Sequence, residues 1–249
     1  MSAKAKSDRA LLERAVQRKW VEDRLAPWCP HKPTEKQLDA LLLDDVFEVL
    51  FGGAMGGGKS DTLLMMAAMH VHSPNYVGLV LRRSFTELNL PGAIYDRAKS
   101  WWLGNPKIKH DIMLRSFRFP SGARIVFGYC DDDGDEHRYD GMEPTSVFFD
   151  ELQEFGWQQY SYISFQRVRK TRSVDVPLRV RSAAMPGGTG HTWVHERFVT
   201  PQPEDPTKPW RAERSLRPTF IPATHKDNPF LHKDYAEKIV NLPCQVTFQ

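Results

Sequence analysis

Apolar residues recur along this chain with two periods, and the switches between them mark its elements. From Ser7 to Leu25, the apolar positions Leu12, Val16, Trp20 and Leu25 fall near helical spacing with basic residues between them, which predicts an amphipathic helix. Pro27, Pro30 and Pro33 then break the chain into a linker. Thr34 to Gln37 has the S/T-x-x-E/Q form that closes a helix N-terminus, so a helix is predicted from Glu35. Three short apolar runs, Val46–Phe51, Val77–Leu81 and Thr145–Phe149, have the look of buried strands. Ser84–Trp102 reads as mainly helical, interrupted at Pro91 and Gly92. Residues 115–119 (RSFRF) and 124–128 (RIVFG) flank Pro120–Ala123 as a hairpin, and Leu178–Ala184 is a further strand. Prolines recur from Thr200 to Pro222, which predicts extended, surface-hugging chain. Strands alternating with helices predict a parallel sheet wrapped by helices, and no internal repeat is visible.

Composition narrows the class. With 249 residues, 41% apolar and 26% charged, including 7 Trp and 14 Phe, the chain is too aromatic to be disordered and long enough for one large α/β domain or two small ones. No apolar run approaches the ~20 residues of a membrane span, and Met1–Arg9 lacks the apolar core of a signal peptide. Cys29, Cys130 and Cys244 form no paired spacing, which argues against a disulfide scaffold or zinc knuckle and fits a reducing compartment. A soluble intracellular protein is expected.

The chemistry is concentrated in FGGAMGGGKS, residues 51–60. From Gly53 the segment Gly53-Ala54-Met55-Gly56-Gly57-Gly58-Lys59-Ser60, followed by Asp61, fits G-x-x-x-x-G-K-[ST]. Such a loop curls around a phosphate with its N–H groups inward, and glycine permits both the dihedrals and the close approach. The helix that follows aims its positive end at the same anion. Lys59 then reaches the β/γ oxygens and Ser60 ligates Mg²⁺. The bland reading is a flexible glycine-rich turn. The apolar strand before it and the helical run Thr62–His70 after it favour the phosphate loop.

Such a loop needs a partner strand ending in acids, and residues 147–151 (VFFDE) supply one. Asp150 is placed to hold Mg²⁺ directly or through water, and Glu151 to orient and polarise the attacking water. Alone, this segment would read as a strand running into a solvated acidic turn; the phosphate loop upstream changes that. No NKxD guanine motif is present, so ATP is favoured over GTP.

Several blocks, in order, then carry a family likeness: Gln37 before the first strand, FGGAMGGGKS (51–60), LRRSFTEL (81–88), HRYDGMEPTSVFFDELQEF (137–155), AAMPGGTGHTWVHERF (183–198) and FIPATHKDNPFL (220–231). They span about Pro33 to Pro243, and the chain resembles the N-terminal ATPase domain of tailed-bacteriophage large terminase subunits. The resemblance implies an α/β P-loop NTPase of ASCE type, with a mainly parallel sheet flanked by helices, at residues 34–249, preceded by a helical segment and linker at residues 1–33. It implies a Mg²⁺-dependent ATPase that drives double-stranded DNA into a procapsid. The implied partners are a portal protein, a small terminase subunit and further copies in a homo-oligomeric ring, in the host cytoplasm and transiently docked on the procapsid. Gln37 resembles the family's adenine-contacting glutamine, while its own sequence context makes it a capping residue; both readings stand. Segment 183–190 lies where the family has a coupling motif that senses the γ-phosphate and relays the change to DNA-gripping parts.

Two departures matter. Met55 stands where the family often has a P-loop arginine, so the neutralising arginine must come from elsewhere. Arg138 is the first choice, acting on a neighbouring subunit, with Arg82 and Arg83 as alternatives; pairing with the acidic run Asp131–Glu136 is the plainer role for Arg138. Ala183 and Met185 replace the usual Thr and Asn of the coupling segment, leaving Ser182 as the nearby hydroxyl. No acidic cluster suited to a nuclease follows Glu154, so the length reads as a motor without the cutter.

The net charge of +3 conceals segregation. Asp131–Glu154 carries ten acids and one base, Ser164–Arg217 eleven bases and five acids, and residues 1–36 nine bases and five acids. Arg167, Arg169, Lys170, Arg172, Arg179 and Arg181 are therefore candidates for sequence-independent phosphate contacts, with Trp193 and His191 adding stacking; an ordinary solvated charged face is the alternative. The pairs His70/His72 and His191/His195 lack a metal signature and read as solvent-exposed. Two rival functions remain: another P-loop translocase such as a helicase, or an ATP-gated assembly module with negligible turnover.

Overall fold

The structure, a computed structural model, describes residues 3–169, 176–200, 217–232 and 234. Six strands form its parallel centre: β1 (Glu48–Gly53), β2 (Val77–Arg82), β5 (Arg124–Tyr129), β6 (Ser146–Phe149), β7 (Arg179–Ala184) and β8 (Thr219–Ala223). Two short antiparallel strands, β3 (Lys109–Asp111) and β4 (Ser116–Arg118), extend one edge. The order is β3-β4-β5-β2-β6-β7-β1-β8, so β7 separates the strand that feeds the glycine loop from the strand that ends in the acids. The α/β fold class is therefore as expected.

Alternation along the central strands builds two cores from one sheet. Val49 and Phe51 of β1, Val80 of β2 and Phe148 of β6 face a core with α2 (Glu35–Leu41), α3 (Lys59–Ala68) and α5 (Ile94–Trp102). Their neighbours Leu50, Leu79, Leu81, Val147 and Phe149 face another, closed by Phe155, Tyr160, Ile163, Val194 and Phe198. Every residue of β1, β6 and β7 is buried, which is why Val49–Phe51 and Val147–Phe149 read as continuous apolar runs, while β7 buries Arg179, Arg181 and Ser182 as well. Pro91 and Gly92 split the long helical stretch into α4 (Phe85–Asn89) and α5. The predicted hairpin is present as β4 and β5.

Four expectations change. α1 (Ala3–Leu25) forms, but Leu12, Val16 and Trp20 are exposed, and it is Val21 and Leu25 that enter the core. The proline-rich stretch ends in an edge strand, β8, parallel to β1; residues 201–216 lie outside the described residues. The supposed DNA-contacting arginines are largely internal. Arg179 and Arg181 are 1% exposed: Arg179 pairs with Asp44, and Arg181 donates to the carbonyls of Leu43, Val46 and Phe47. Arg167 is bound to the carbonyls of Asp140 and Met142, while exposed Arg169 faces Glu143; Lys170 and Arg172 lie outside the described residues. Alternation on β7 put these charges inward, and buried carbonyls and Asp44 took them up.

His70 is also buried, not solvent-exposed, with Nε2 3.0 Å from both Asp44 oxygens. Burial, assisted by Arg179, lowers its pKa from 6.5 to about 4. The unfolded chain therefore binds more protons between these two values, and stability falls as pH drops from 6.5 through about 4. The shift sets a scale of about 3 kcal/mol. Chemical denaturation across that window is expected to show wild type losing stability more steeply than His70→Gln as pH falls; equal slopes would show that His70 does not set the pH dependence.

Candidate active site

The C-terminal ends of β1, β7, β6 and β2 lie side by side, where open α/β sheets bind ligands. Beyond Gly53 the chain turns through the glycine loop, and Gly58, at φ 72° in the left-handed region, starts α3 at Lys59. Gly52 is needed for another reason: a Cβ there would sit 2.2 Å from the Ala184 carbonyl oxygen of β7. The loop is laced from the C-terminal side. Ala54 N–H donates to the Ala223 carbonyl at 3.1 Å, and Asn228 Nδ2 to the Gly56 carbonyl at 2.8 Å.

Lys59 Nζ donates to the Ala54 carbonyl at 2.8 Å. Burial lowers its pKa, opposed by the nearby charges of Glu151 and Asp150. Ser60 Oγ lies 3.5 Å from Asp150 Oδ1 across the gap between α3 and β6. Asp150 is 1% exposed; burial raises its pKa, and Arg82 counteracts this. A hydroxyl and a carboxylate converging from two elements are hard oxygen donors suited to Mg²⁺, which binds through one or two protein groups plus substrate phosphates and water. Among the described residues no group of three or more His, Cys, Asp or Glu side chains is placed to hold a metal ion by itself.

Glu151 follows at φ 59°, an uncommon conformation for a residue with a Cβ. Its Oε2 accepts from Gln153 Nε2 at 2.6 Å. Gln153 Oε1 in turn accepts from the Met185 N–H at 3.0 Å, and its carbonyl from the Gly190 N–H at 2.7 Å. Trp193 Nε1 and Thr189 Oγ1 add bonds to the Phe155 and Glu154 carbonyls. The turn after β6 and segment 185–193 are thus bonded to each other at several points. Gly190 permits this, since a Cβ there would meet the Phe155 carbonyl oxygen at 2.4 Å.

These contacts reassign several residues. Gln37 completes the capping box with Thr34 and also reaches the Gly58 carbonyl at 3.4 Å, so helix cap and loop contact coexist. The Asp61 carboxylate is occupied by Arg97 at 2.7 Å and His31 at 3.3 Å. Its pKa is lowered because those bonds outweigh burial. Ser182 is fully buried within β7 between Leu50 and Phe149, away from the strand end. Trp193 packs against Tyr160 and Trp157 as part of the fold, and His191 Nδ1 accepts from the Gly187 N–H. Arg138 pairs with Asp135 at 3.0 Å and lies over the Tyr129 ring, though about half exposed. Arg82 enters the site of its own chain, 2.6 Å from Asp150, while Arg83 is bound to the Cys130 carbonyl.

Residues that motif reading left without a role line the same cleft of about 470 Å³: His31, Arg97, Asn228, Phe230 and Leu231 stand beside Gly56–Asp61 and Glu151. His31 and Phe230 are in ring contact at 4.7 Å between centroids. Asn228 and Phe230 fall in the block 220–231, so the likeness located them without giving them work.

Among solved structures, the large terminase of a thermophilic bacteriophage in complex with ADP superposes with TM-score 0.60 at 16% identity over 83% of this chain and 49% of that one. The ATP-γ-S complex of the same terminase gives 0.58 at 16% over 82% and 48%. The large terminase ATPase domain of Thermus phage P74-26 gives 0.51 at 13% over 89% and 93%. At such identities the likeness is one of fold, and this chain spans about half the length of the nucleotide-bound terminase. No curated protein matches the chain. Residues 50–244, well over half of the sequence, match the family described as terminase large subunit, T4likevirus-type, N-terminal. The chain accordingly belongs to the terminase large subunit family, in its N-terminal part.

Proposed function

We propose that this chain is a Mg²⁺-dependent ATPase whose hydrolysis drives double-stranded DNA into a bacteriophage procapsid. The observation that carries this reading is that Lys59, Ser60 and Glu151 line one cleft, with Asp150 3.5 Å from Ser60, although they follow two strands that β7 separates. The phosphate loop and Lys59 bind the triphosphate. Ser60 and Asp150 would hold Mg²⁺, which supplies charge neutralisation at the phosphates when bound. Glu151 orients and polarises the attacking water. The ADP and ATP-γ-S complexes of the thermophilic phage terminase support nucleotide as the ligand.

Coupling is supported by the stitching of segment 185–193 to the Glu151 turn, since any shift of one is felt by the other. The working unit is a homo-oligomeric ring engaging duplex DNA, a portal protein and the small terminase subunit, in the host cytoplasm and transiently docked on the procapsid. Among the described residues no helix is long and apolar enough to cross a membrane. Arg138, exposed enough to leave Asp135, is the proposed arginine acting on a neighbour.

Steady-state ATP hydrolysis with duplex or single-stranded DNA, across protein concentration, tests this function. Stimulation by duplex DNA that grows with concentration is expected. Stimulation by single strands with strand separation would favour a helicase, and a flat negligible rate an ATP-gated assembly module.

A further inference from the structure

Arg82 stands at the end of β2, which pairs directly with the Asp150 strand in register Leu81↔Phe149. Its Nη1 donates to Asp150 Oδ2 at 2.6 Å and lies 4.0 Å from Glu151 Oε1. The Nε side lies 3.5 Å from Glu87, whose own N–H is held by Ser84 Oγ at 3.1 Å. The two oxygens of Asp150 are therefore divided: Oδ2 belongs to Arg82, and Oδ1 faces Ser60 at 3.5 Å.

A carboxylate at a strand end rotates broadly about its terminal torsion unless something fixes it. A charge-assisted bond from a guanidinium seated on the neighbouring strand is such a restraint, and groups behind a metal ligand commonly set its aim. Arg82 is backed by Glu87 and four-fifths buried, so its reach is spent inside its own chain. It is ill-placed to act across a subunit boundary, as one alternative for the neutralising arginine would require.

We propose that Arg82 is a positioning residue that turns Asp150 so that Oδ1 faces the cation site shared with Ser60. This rests on the reading of the cleft as a Mg²⁺–nucleotide site. Lysine would keep the charge but lose the planar guanidinium that hydrogen-bonds Asp150 with one arm while its Nε lies in charge contact, 3.5 Å from Glu87.

The test is binding of a fluorescent ADP analogue to wild type, Arg82→Ala and Arg82→Lys, in EDTA and across a Mg²⁺ titration. For Arg82→Ala the Mg²⁺ concentration giving half the metal-dependent gain in affinity should rise about tenfold or more, the scale of such supporting contacts. Arg82→Lys should show a smaller rise, and affinity in EDTA should stay within about twofold of wild type for both. An unchanged Mg²⁺ requirement overturns the proposal; so does an equal loss in EDTA, which would mark a purely structural role. If Arg82→Ala does not fold, Arg82→Lys and Glu87→Gln carry the test: each must raise the Mg²⁺ requirement, and no rise in either overturns it. A wild-type chain that binds no nucleotide under either condition overturns the reading of the cleft itself, an outcome distinct from a failure of the Arg82 variants.

Discussion

Replacing Lys59 by Ala is expected to weaken ATP binding by about 100-fold or more, with the fold intact. Charge-assisted hydrogen bonds contribute roughly 1.5–3 kcal/mol each, and a P-loop lysine makes more than one to the phosphates. Here the ammonium rests on the Ala54 carbonyl at 2.8 Å, inside the loop it would leave to meet a phosphate. Burial makes that charge costly, and Glu151 and Asp150 offset the cost. The loop itself should survive the substitution, because Asn228 and the Ala223 carbonyl hold it independently of Lys59. Isothermal titration with ATP, beside a thermal melt of each protein, separates lost binding from lost structure. Near wild-type affinity in Lys59→Ala would contradict the assignment.

Glu151→Gln is expected to do the reverse: affinity kept, turnover lowered by about 10²–10⁴, the span usual for a general base. Glutamine is nearly isosteric and keeps an oxygen for the bond from Gln153 Nε2, now 2.6 Å from Glu151 Oε2. The uncommon backbone at φ 59° is therefore not disturbed, and only the capacity to polarise water is lost. Parallel measurement of kcat and nucleotide Kd reads the split. Unchanged kcat would remove Glu151 from the chemistry.

The strands and the glycine loop were legible in sequence because their signals are local. Val77–Leu81 and FGGAMGGGKS announce themselves within ten residues. β8 was not, since Thr219–Ala223 contains a proline and its strand character comes from pairing with distant β1. β3 was missed as well: Lys109–Asp111 is polar and owes its place to β4. Charge counting misled most on β7, where Arg179 and Arg181 look like a basic patch in sequence. Only the pleat, which turns both to the same face, and the presence of Asp44 and backbone carbonyls there reveal them as core. The apolar run before them put Asp150 and Glu151 at the end of a strand, where they stand. Their supports, Arg82 from β2 and Gln153 from the following turn, are products of tertiary structure, because neither residue type nor spacing marks a hydrogen-bond partner on the next strand or one turn away.

ATP hydrolysis is assigned to the cleft lined by Lys59, Ser60 and Glu151, with Asp150 beside Ser60. Its most direct test is a single-turnover experiment. Wild type and Glu151→Gln are each preloaded with substoichiometric labelled ATP, started together with Mg²⁺ and duplex DNA, and quenched in acid at intervals. Wild type should release labelled phosphate, and Glu151→Gln should hold a stable complex that yields intact ATP. Equal phosphate release by the two proteins would contradict that assignment.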